Sequence, residues 1–570
     1  MSKWQQLQSR EQGLRPIPVI QAVLFDFDGT LTEPSLNLGE IKKTLGCSPD
    51  QTLLEYIEGL PTREEQDLAH KGLDDYEFEA AANAVPNAHA EELVGYLRSR
   101  SVPMGIISRN RLRSIQKALR NFKNITFSDF QLILTRDDDL EPKPNPQAIL
   151  MTARKMGLQT WEILIVGDFI YDVQAGQAAE VTTVFLTNSQ EPPAFDPPPD
   201  YVIDHLGQLK DLVRYLLPLP TGKLPADFLK EFLEENSVED PSVLIKAGVG
   251  EDVAAVQPLD QDIIVLKTDP ITFPTEQIGY YAVLINANDL ATSGAVPRWL
   301  LTTLLLPVGY NAARIHLLMR ELARVSRAHE VSLCGGHTEV TDAVNKPVVV
   351  GQLVGTVASE DLIDKCRMKQ GDQILLTKSI AVEGTGLLAK EFPQQLQTLG
   401  MSGSEIERCQ ELLFQPGISI LKEAAIAAAT KKVTAMHDVT EGGLATAFRE
   451  LGTAGKHRLQ VIVDDISILS ETCRLCELLQ LDALGLIGSG SLLIVCQQDS
   501  CQDLISRIDR AGIRVCRIGQ VLEKGSGIEA LRQGKPILWP EFEVDEVTRA
   551  IEKLNNTSSS EEAHHNESVP

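Results

Sequence analysis

One stretch constrains the fold more than any other: Ala22-Val-Leu-Phe-Asp-Phe-Asp-Gly-Thr-Leu-Thr32. Val23, Leu24 and Phe25 form a short apolar run, the pattern of a strand buried on both faces of a parallel sheet. Asp26 and Asp28 follow two residues apart, and Gly29-Thr30 breaks the strand. Alternation places both carboxylates on one side at the strand's carboxyl end. Open α/β sheets bind their ligands at that edge. Paired carboxylates there can hold a hard cation and supply both a nucleophile and an acid or base.

From this strand to about residue 99 the chain reads helical and charged, with apolar stripes at 41–45, 53–57 and 80–84. This material is too small for a core of its own and reads as a helical cap, 33–99, inserted after the first strand. A second strand, 102–107, ends in Ser108 and Asn110. By itself Ser108 reads as a phosphate donor or as the cap of the helix that follows. Lys143 sits between two prolines that fix its loop, and Asn145-Pro146 starts a helix. That lysine reads as a partner for a phosphoryl group or as a solvated loop residue. A further strand, 163–167, runs into Asp168, with Asp172 four residues on. Asp168 is placed as a metal ligand. Asp172 reads as support for it or for Lys143, or as an acid stabilised by a helix N-terminus.

The order of these elements resembles the haloacid dehalogenase (HAD) superfamily: DFDGT, a strand ending in serine, a lysine in a Pro-rich loop, then GDxxxD. The resemblance covers about residues 20–216 and is nearest the helical-cap branch with phosphoglycolate-type phosphatases. It implies a Rossmann-like domain at 1–216 in which Asp26 attacks phosphorus and forms an aspartyl-phosphate. Asp28 would protonate the leaving group and then activate water. Ser108 and Lys143 would hold the phosphoryl oxygens of a phosphorylated small molecule. Mg²⁺ would be bound by Asp26, the Asp28 carbonyl and Asp168, with Asp172 in support.

Pro and Gly cluster in Pro218-Leu-Pro-Thr-Gly-Lys223, so a linker is expected at 217–226. Beyond it the sequence becomes strand-rich. An apolar strand at 263–266 ends in Thr268-Asp269, a helix at 278–290 carries Asn286, Asn288 and Asp289, and a strand at 331–333 runs into Cys334-Gly-Gly-His-Thr-Glu339. No GxxxxGK[ST] occurs, which excludes a P-loop. Acidic residues recur instead at expected element ends: Asp252, Asp269, Asp289 and Glu339. They suit metal ions bridging phosphates, and equally suit caps and turns in an acidic chain. In Ala435-Met-His-Asp-Val-Thr-Glu-Gly-Gly443, His437, Asp438 and Glu441 are candidates for a substrate site. A histidine merely hydrogen-bonded at a strand end has the same pattern.

The series GVGEDVAAV, KTDP, NANDLATSGAVP, GGHTEVT, HDVTEGGL and GSGSLLIV resembles the AIR synthase superfamily, nearest its HypE members, over about 240–540. This implies a PurM-like module of two α/β subdomains, 227–360 and 361–555, that forms a homodimer. ATP and Mg²⁺ would lie in a cleft, with Asp252, Asp269 and Asp289 at the metal–nucleotide positions. Asn288, Asp289, Gly335, Gly336 and Glu339 would approach the nucleotide. ATP would activate an oxygen of an amide, carbonyl or acid. Glu251 stands where the family more often has Asp, and Glu567-Ser-Val-Pro570 lacks the terminal cysteine of HypE. These departures keep a second expectation open: a phosphatase carrying a non-catalytic, nucleotide-binding, dimerising regulatory module.

A net charge of -26 argues against a nucleic-acid surface and requires cations to bridge any bound phosphate. Nine scattered cysteines read as reduced thiols of a cytoplasmic protein, and Cys473-x-x-Cys476 as helix packing rather than zinc ligation. The N-terminus lacks a signal-peptide pattern, no apolar run approaches membrane-spanning length, and 556–570 reads as a disordered tail.

Overall fold

The computed structural model describes residues 17–34, 38–48, 51–219, 222–236, 240–245, 255–256, 258, 262–272 and 277–555. The expected loop at 246–254 and the tail at 556–570 lie outside the described residues. The chain forms two compact units, one within 1–221 plus 308–316, the other within 222–307 and 317–570.

In the first unit, strands β1 (Ala22–Phe25), β2 (Met104–Ile107), β3 (Leu132–Leu134), β4 (Ile163–Gly167), β5 (Thr182–Leu186) and β6 (Tyr201–Ile203) form one sheet. Its order is β3-β2-β1-β4-β5-β6, and every neighbouring pair is parallel. All four residues of β1 and all five of β4 are buried, so both sheet faces are covered. On one face Leu24 and Ile165 pack with Ile149 and Ala175, from helices Gln147–Met156 and Ile170–Ala178. Each such buried leucine or isoleucine side chain contributes roughly 1.5–3 kcal/mol.

The cap differs from the expected span. A bridge pairs Thr32 with Pro86, and Asn87 N donates to Leu31 O at 2.9 Å, closing the insertion there. Helices Leu38–Leu45, Leu53–Glu58 and Arg63–Ala82 lie within it around Ile41, Leu53, Ile57 and Leu73. The longest starts on a reciprocal cap between Thr62 and Glu65. Helix Ala90–Ser99, expected in the cap, belongs with the sheet and packs beside helix Leu206–Leu216, because its Ala90, Leu93, Val94 and Leu97 stripe is buried.

The segment 308–316, expected in the second module, groups with the first unit. Buried Asn311 donates from Nδ2 to Pro18 O at 2.9 Å, and Leu219 N donates to Tyr310 O at 2.9 Å.

The second unit adds β7 (Gly222–Lys223), β8 (Val243–Ile245), β9 (Ala255–Val256), β10 (Asp262–Ile271), β11 (Val296–Pro307), β12 (Ser332–Thr341) and β13 (Val348–Ala358). One sheet has the order β10-β13-β11-β12-β7. Asp269 does not end its strand: β10 pairs residue by residue with β13 from Asp262↔Ala358 to Ile271↔Val349. Cys334–Glu339 likewise lies inside β12, paired in parallel with β11. Gly and Asp punctuate short strands, but a long ladder carries them through.

The other sheet is built from β14 (Gln373–Thr377), β15 (Val433–Asp438), β16 (His457–Ile462), β17 (Leu492–Cys496), β18 (Val515–Lys524), β19 (Ile528–Arg532) and β20 (Lys535–Ile537). Its order is β15-β17-β14-β18-β16-β19-β20. Helices cover both faces: Val382–Glu391 and Gly443–Gly455 on one, Leu421–Ala429 and Cys501–Arg510 on the other. The expected α/β class holds for both units.

All nine cysteines are free, and Cys476 is buried in helix Ser470–Leu479 while Cys473 is exposed. Among the described residues one stretch, Gly403–Ala429, is long and apolar enough to cross a membrane by length and composition. It is not one regular helix: Gln415 leaves helical geometry beside Pro416.

Candidate active site

The strand order β2-β1-β4 sets three carboxyl ends side by side, which places Ser108, Asp26 and Asp168 along one sheet edge. Asp26 N donates to Val166 O at 2.9 Å, so the parallel ladder extends to the first carboxylate. Lys143 comes in from the proline-framed loop and is buried. Its Nζ lies 2.5 Å from Asp26 Oδ1, 2.5 Å from Asp172 Oδ1 and 2.8 Å from Ile107 O. The solvated-loop alternative is therefore excluded for this lysine.

Asp172 also accepts Phe169 N at 3.1 Å through its other oxygen, and Asp168 accepts Thr30 Oγ1 at 3.1 Å. Gly29 makes room for Asp168: with φ +79°, a Cβ there would stand 2.1 Å from Asp168 Oδ2. Asn87 and Asn188 both donate to Gly29 O, at 3.1 and 2.8 Å, and hold this turn. Neither asparagine was among the sequence candidates, because each lies in a loop far from any motif.

Ser108 is buried, and its Oγ accepts Asn110 N at 3.1 Å. The helix-cap alternative does not hold, since Arg111 is the capping residue of helix Leu112–Leu119. Asp28 accepts Thr32 Oγ1 at 3.2 Å and lines a small pocket between sheet edge and cap. Ala80, Ala81, Ala84 and Glu77 line its cap side, Asn110 and Ser114 its other side. Glu77 and its helix neighbour Asp74 both pair with Arg136, at 2.8 and 2.7 Å, and Asp74 pairs with Arg111 at 2.6 Å. The cap is thus latched to the loops after β2 and β3.

Carboxylate oxygens of Asp26, Asp168 and Asp172 can approach within 4.8 Å of one another. Burial, then the charges of Asp26 and Asp172, push the Asp168 carboxyl above its ordinary range. Burial also raises Asp172, against the pull of Lys143. Burial disfavours the Lys143 charge, but Asp172 and Asp26 outweigh it and hold the ammonium above the usual lysine range. Three carboxylates share one cation, and a hard divalent ion with oxygen ligands fits that excess charge.

In the second unit, Asp269 on β10, Asp289 in helix Ile278–Ala291 and Asp438 at the end of β15 come together. Lys267 Nζ lies between the first two, 2.6 Å from Asp289 Oδ2 and 3.0 Å from Asp269 Oδ2. Asp438 is buried, and its Oδ2 has no hydrogen-bond partner. Burial and the neighbouring Asp289 charge push its carboxyl well above the ordinary range. The register Asp269↔Gly351↔Thr302↔Gly336 puts Gly336 in the same cross-sheet row. Gly335, its neighbour on β12, pairs with Leu301.

Other expected members of this site are elsewhere or otherwise engaged. Asn288 is buried, with its Nδ2 donating to Ile418 O at 2.8 Å and its Oδ1 accepting Ile420 N at 3.0 Å. Both ends of its amide thus tie the helix to the chain before helix Leu421–Ala429. Glu339 lies three residues beyond Gly336 on β12 and pairs with His337 at 3.0 Å. His437 pairs with Glu450 at 3.0 Å, on the opposite side of β15 from Asp438 by alternation. Glu441 is exposed in a turn, and Asp252 lies outside the described residues.

The chain matches the family model of haloacid dehalogenase-like hydrolases over residues 23–186. It matches the N-terminal domain of AIR synthase related proteins over 250–357 and their C-terminal domain over 369–531. An uncharacterized hydrolase of Saccharomyces cerevisiae is 30% identical over 31% of this chain and 82% of its own length. A putative hydrogenase expression/formation protein of Methanocaldococcus jannaschii is 27% identical over 49% of this chain and 82% of its own. The carbamoyl dehydratase HypE of Cupriavidus necator is 27% identical over 47% and 76%.

Proposed function

The chain belongs to the haloacid dehalogenase-like hydrolases, with an AIR synthase-related module of the HypE kind joined to it, and from that membership we propose a bifunctional enzyme. The first unit hydrolyses a phosphomonoester of a small molecule. The observation that carries this is Lys143, buried between Asp26 and Asp172 at the end of β1.

Asp26 is the nucleophile, its reacting oxygen held by Lys143 while phosphorus is attacked. Asp28 faces the cleft where the leaving group sits, gives it a proton, and then takes one from water. Ser108 and Lys143 hold phosphoryl oxygens. Asp26, the Asp28 carbonyl and Asp168 would hold Mg²⁺, with Asp172 in support; when bound, this ion neutralises the phosphoryl oxygens. The cap side of this pocket is walled by the alanines at 80, 81 and 84, so the cap bounds the leaving group with small apolar side chains.

The second unit is read as an ATP-dependent activator of a small molecule or protein, acting as a homodimer in the cytoplasm. The relatedness to a carbamoyl dehydratase supports chemistry that removes the oxygen of an amide-like group. Lys267, seated between Asp269 and Asp289, favours the second reading, a nucleotide-binding regulatory module. The test is hydrolysis of an aryl phosphate and consumption of ATP in Asp26→Asn and Asp289→Asn. Loss of the first activity with Asp26→Asn alone, and of the second with Asp289→Asn alone, supports two enzymes. No ATP consumption in the unaltered chain leaves the regulatory module.

A further inference from the structure

In the acidic cluster of the second unit, the facing oxygens of Asp269 and Asp289, Oδ2 in each, do not fit a shared divalent ion. Mg²⁺ needs oxygen ligands at about 2.0–2.1 Å in octahedral geometry. The Lys267 ammonium instead makes charge-assisted contacts to both carboxylates, at 2.6 and 3.0 Å. An ion bound to those same two Oδ2 atoms would overlap that ammonium and repel it.

The lysine is held by regular structure. Lys267 and Asp269 stand two apart on β10, so they share a face of a strand paired along its length with β13. The helix carrying Asp289 approaches closely because β13 has Gly351 beneath it, where a Cβ would stand 2.4 Å from Asn286 Nδ2. Asn286 also donates to Ala282 O at 2.8 Å within that helix. Lys267 is the cation in direct contact with both carboxylates, and Asp438 adds a third acidic group beside Asp289.

We propose that Lys267 is the resident cation of this site, taking the position between Asp269 and Asp289 and keeping a divalent ion out of it. An anionic ligand reaching the cluster then meets an ammonium fixed by the fold. The identity of that ligand rests on the nucleotide reading above; the exclusion of the ion does not.

The test counts Mn²⁺ bound to the full chain by electron paramagnetic resonance. An Asp168→Asn background weakens the first site. With Lys267 in place, adding Asp289→Asn should leave the count unchanged. Lys267→Met, or Lys267→Gln should the first variant not fold, should gain one Mn²⁺ per chain. The gain should vanish with Asp289→Asn, and Lys267→Arg should not gain it. A Mn²⁺ ion that is present beside Lys267 and lost with Asp289→Asn would overturn the proposal. So would the absence of any gain in the folded neutral variants. Calorimetry with ATP in excess EDTA is read separately: absent binding there counts against the nucleotide reading and leaves the ion count to judge Lys267.

Discussion

Lys143 Nζ lies 2.5 Å from Asp26 Oδ1 although 117 residues separate them in sequence. The contact joins a loop lysine to the end of the central strand, and Asp172, buried like the lysine, completes the triad. Removing one partner of such a group leaves charge without compensation, at a cost of about 3–5 kcal/mol. Lys143→Met is therefore expected to lower both the thermal midpoint and aryl-phosphate turnover, the latter by at least about 10²-fold. Lys143→Arg should not restore turnover, because the planar guanidinium cannot reproduce three contacts around one buried nitrogen.

Gly29→Ala combines a left-handed backbone with a Cβ 2.1 Å from Asp168 Oδ2. The backbone strain alone costs on the order of 1–3 kcal/mol. Displacing Asp168 should also weaken the site's hold on a divalent ion. The expected outcome is a higher Mg²⁺ requirement for hydrolysis, read from titrations of activity, with a lower thermal midpoint. Gly157→Ala, at φ +69° with open space around it, should lower only the midpoint.

Glu77 gives a pH signature to the cap. Burial, countered by Arg136 and helped by Asp74 and Asp28, raises its carboxyl to about 7 from 4.5. An acid whose folded value is raised stabilises fully below its unfolded value and loses that contribution as pH rises through the folded value. The window here is therefore about pH 4.5 to 7. Glu77→Gln, which does not titrate, should gain unfolding free energy relative to the unaltered chain between pH 5 and pH 8, by at most about 3 kcal/mol, read from denaturant titrations at each pH. Equal pH dependence in the two proteins would contradict this.

Strand ends were legible in the sequence because β1, β2 and β4 are short apolar runs that stop at a charged or hydroxylated residue. The sequence offers Asp172 as a partner of Lys143, but the spacing that brings out Asp26, Asp28 and Asp168 does not show one ammonium bridging Asp26 and Asp172, since those contacts cross the sheet edge. The cap latch was not legible: Asp74 and Glu77 stand three apart on a charged helix, which reads as a solvated face. Lys267 was hidden for a different reason. Thr268-Asp269 looked like a strand end, whereas the ladder with β13 carries β10 on to Ile271 and turns Lys267 toward Asp289. Asn288 looked like a ligand residue because it adjoins Asp289. Only its partners Ile418 and Ile420, 130 and 132 residues away, reveal its occupation.

Asn288→Ala should accordingly act on stability. Two buried backbone groups would lose their partner, at about 1–3 kcal/mol. The thermal midpoint should fall by the same amount with and without ATP. An unchanged midpoint with weakened ATP binding would return Asn288 to the ligand.

In the proposed reaction Asp26 is phosphorylated during turnover. The most direct measurement is acid quenching of the full chain while it hydrolyses an aryl phosphate in Mg²⁺, followed by peptide mass spectrometry. One phosphoryl group is expected on the peptide containing Asp26, none in Asp26→Asn, and no turnover by that variant. Turnover by Asp26→Asn at the rate of the unaltered chain, or a phosphoryl group on a different residue, would contradict it.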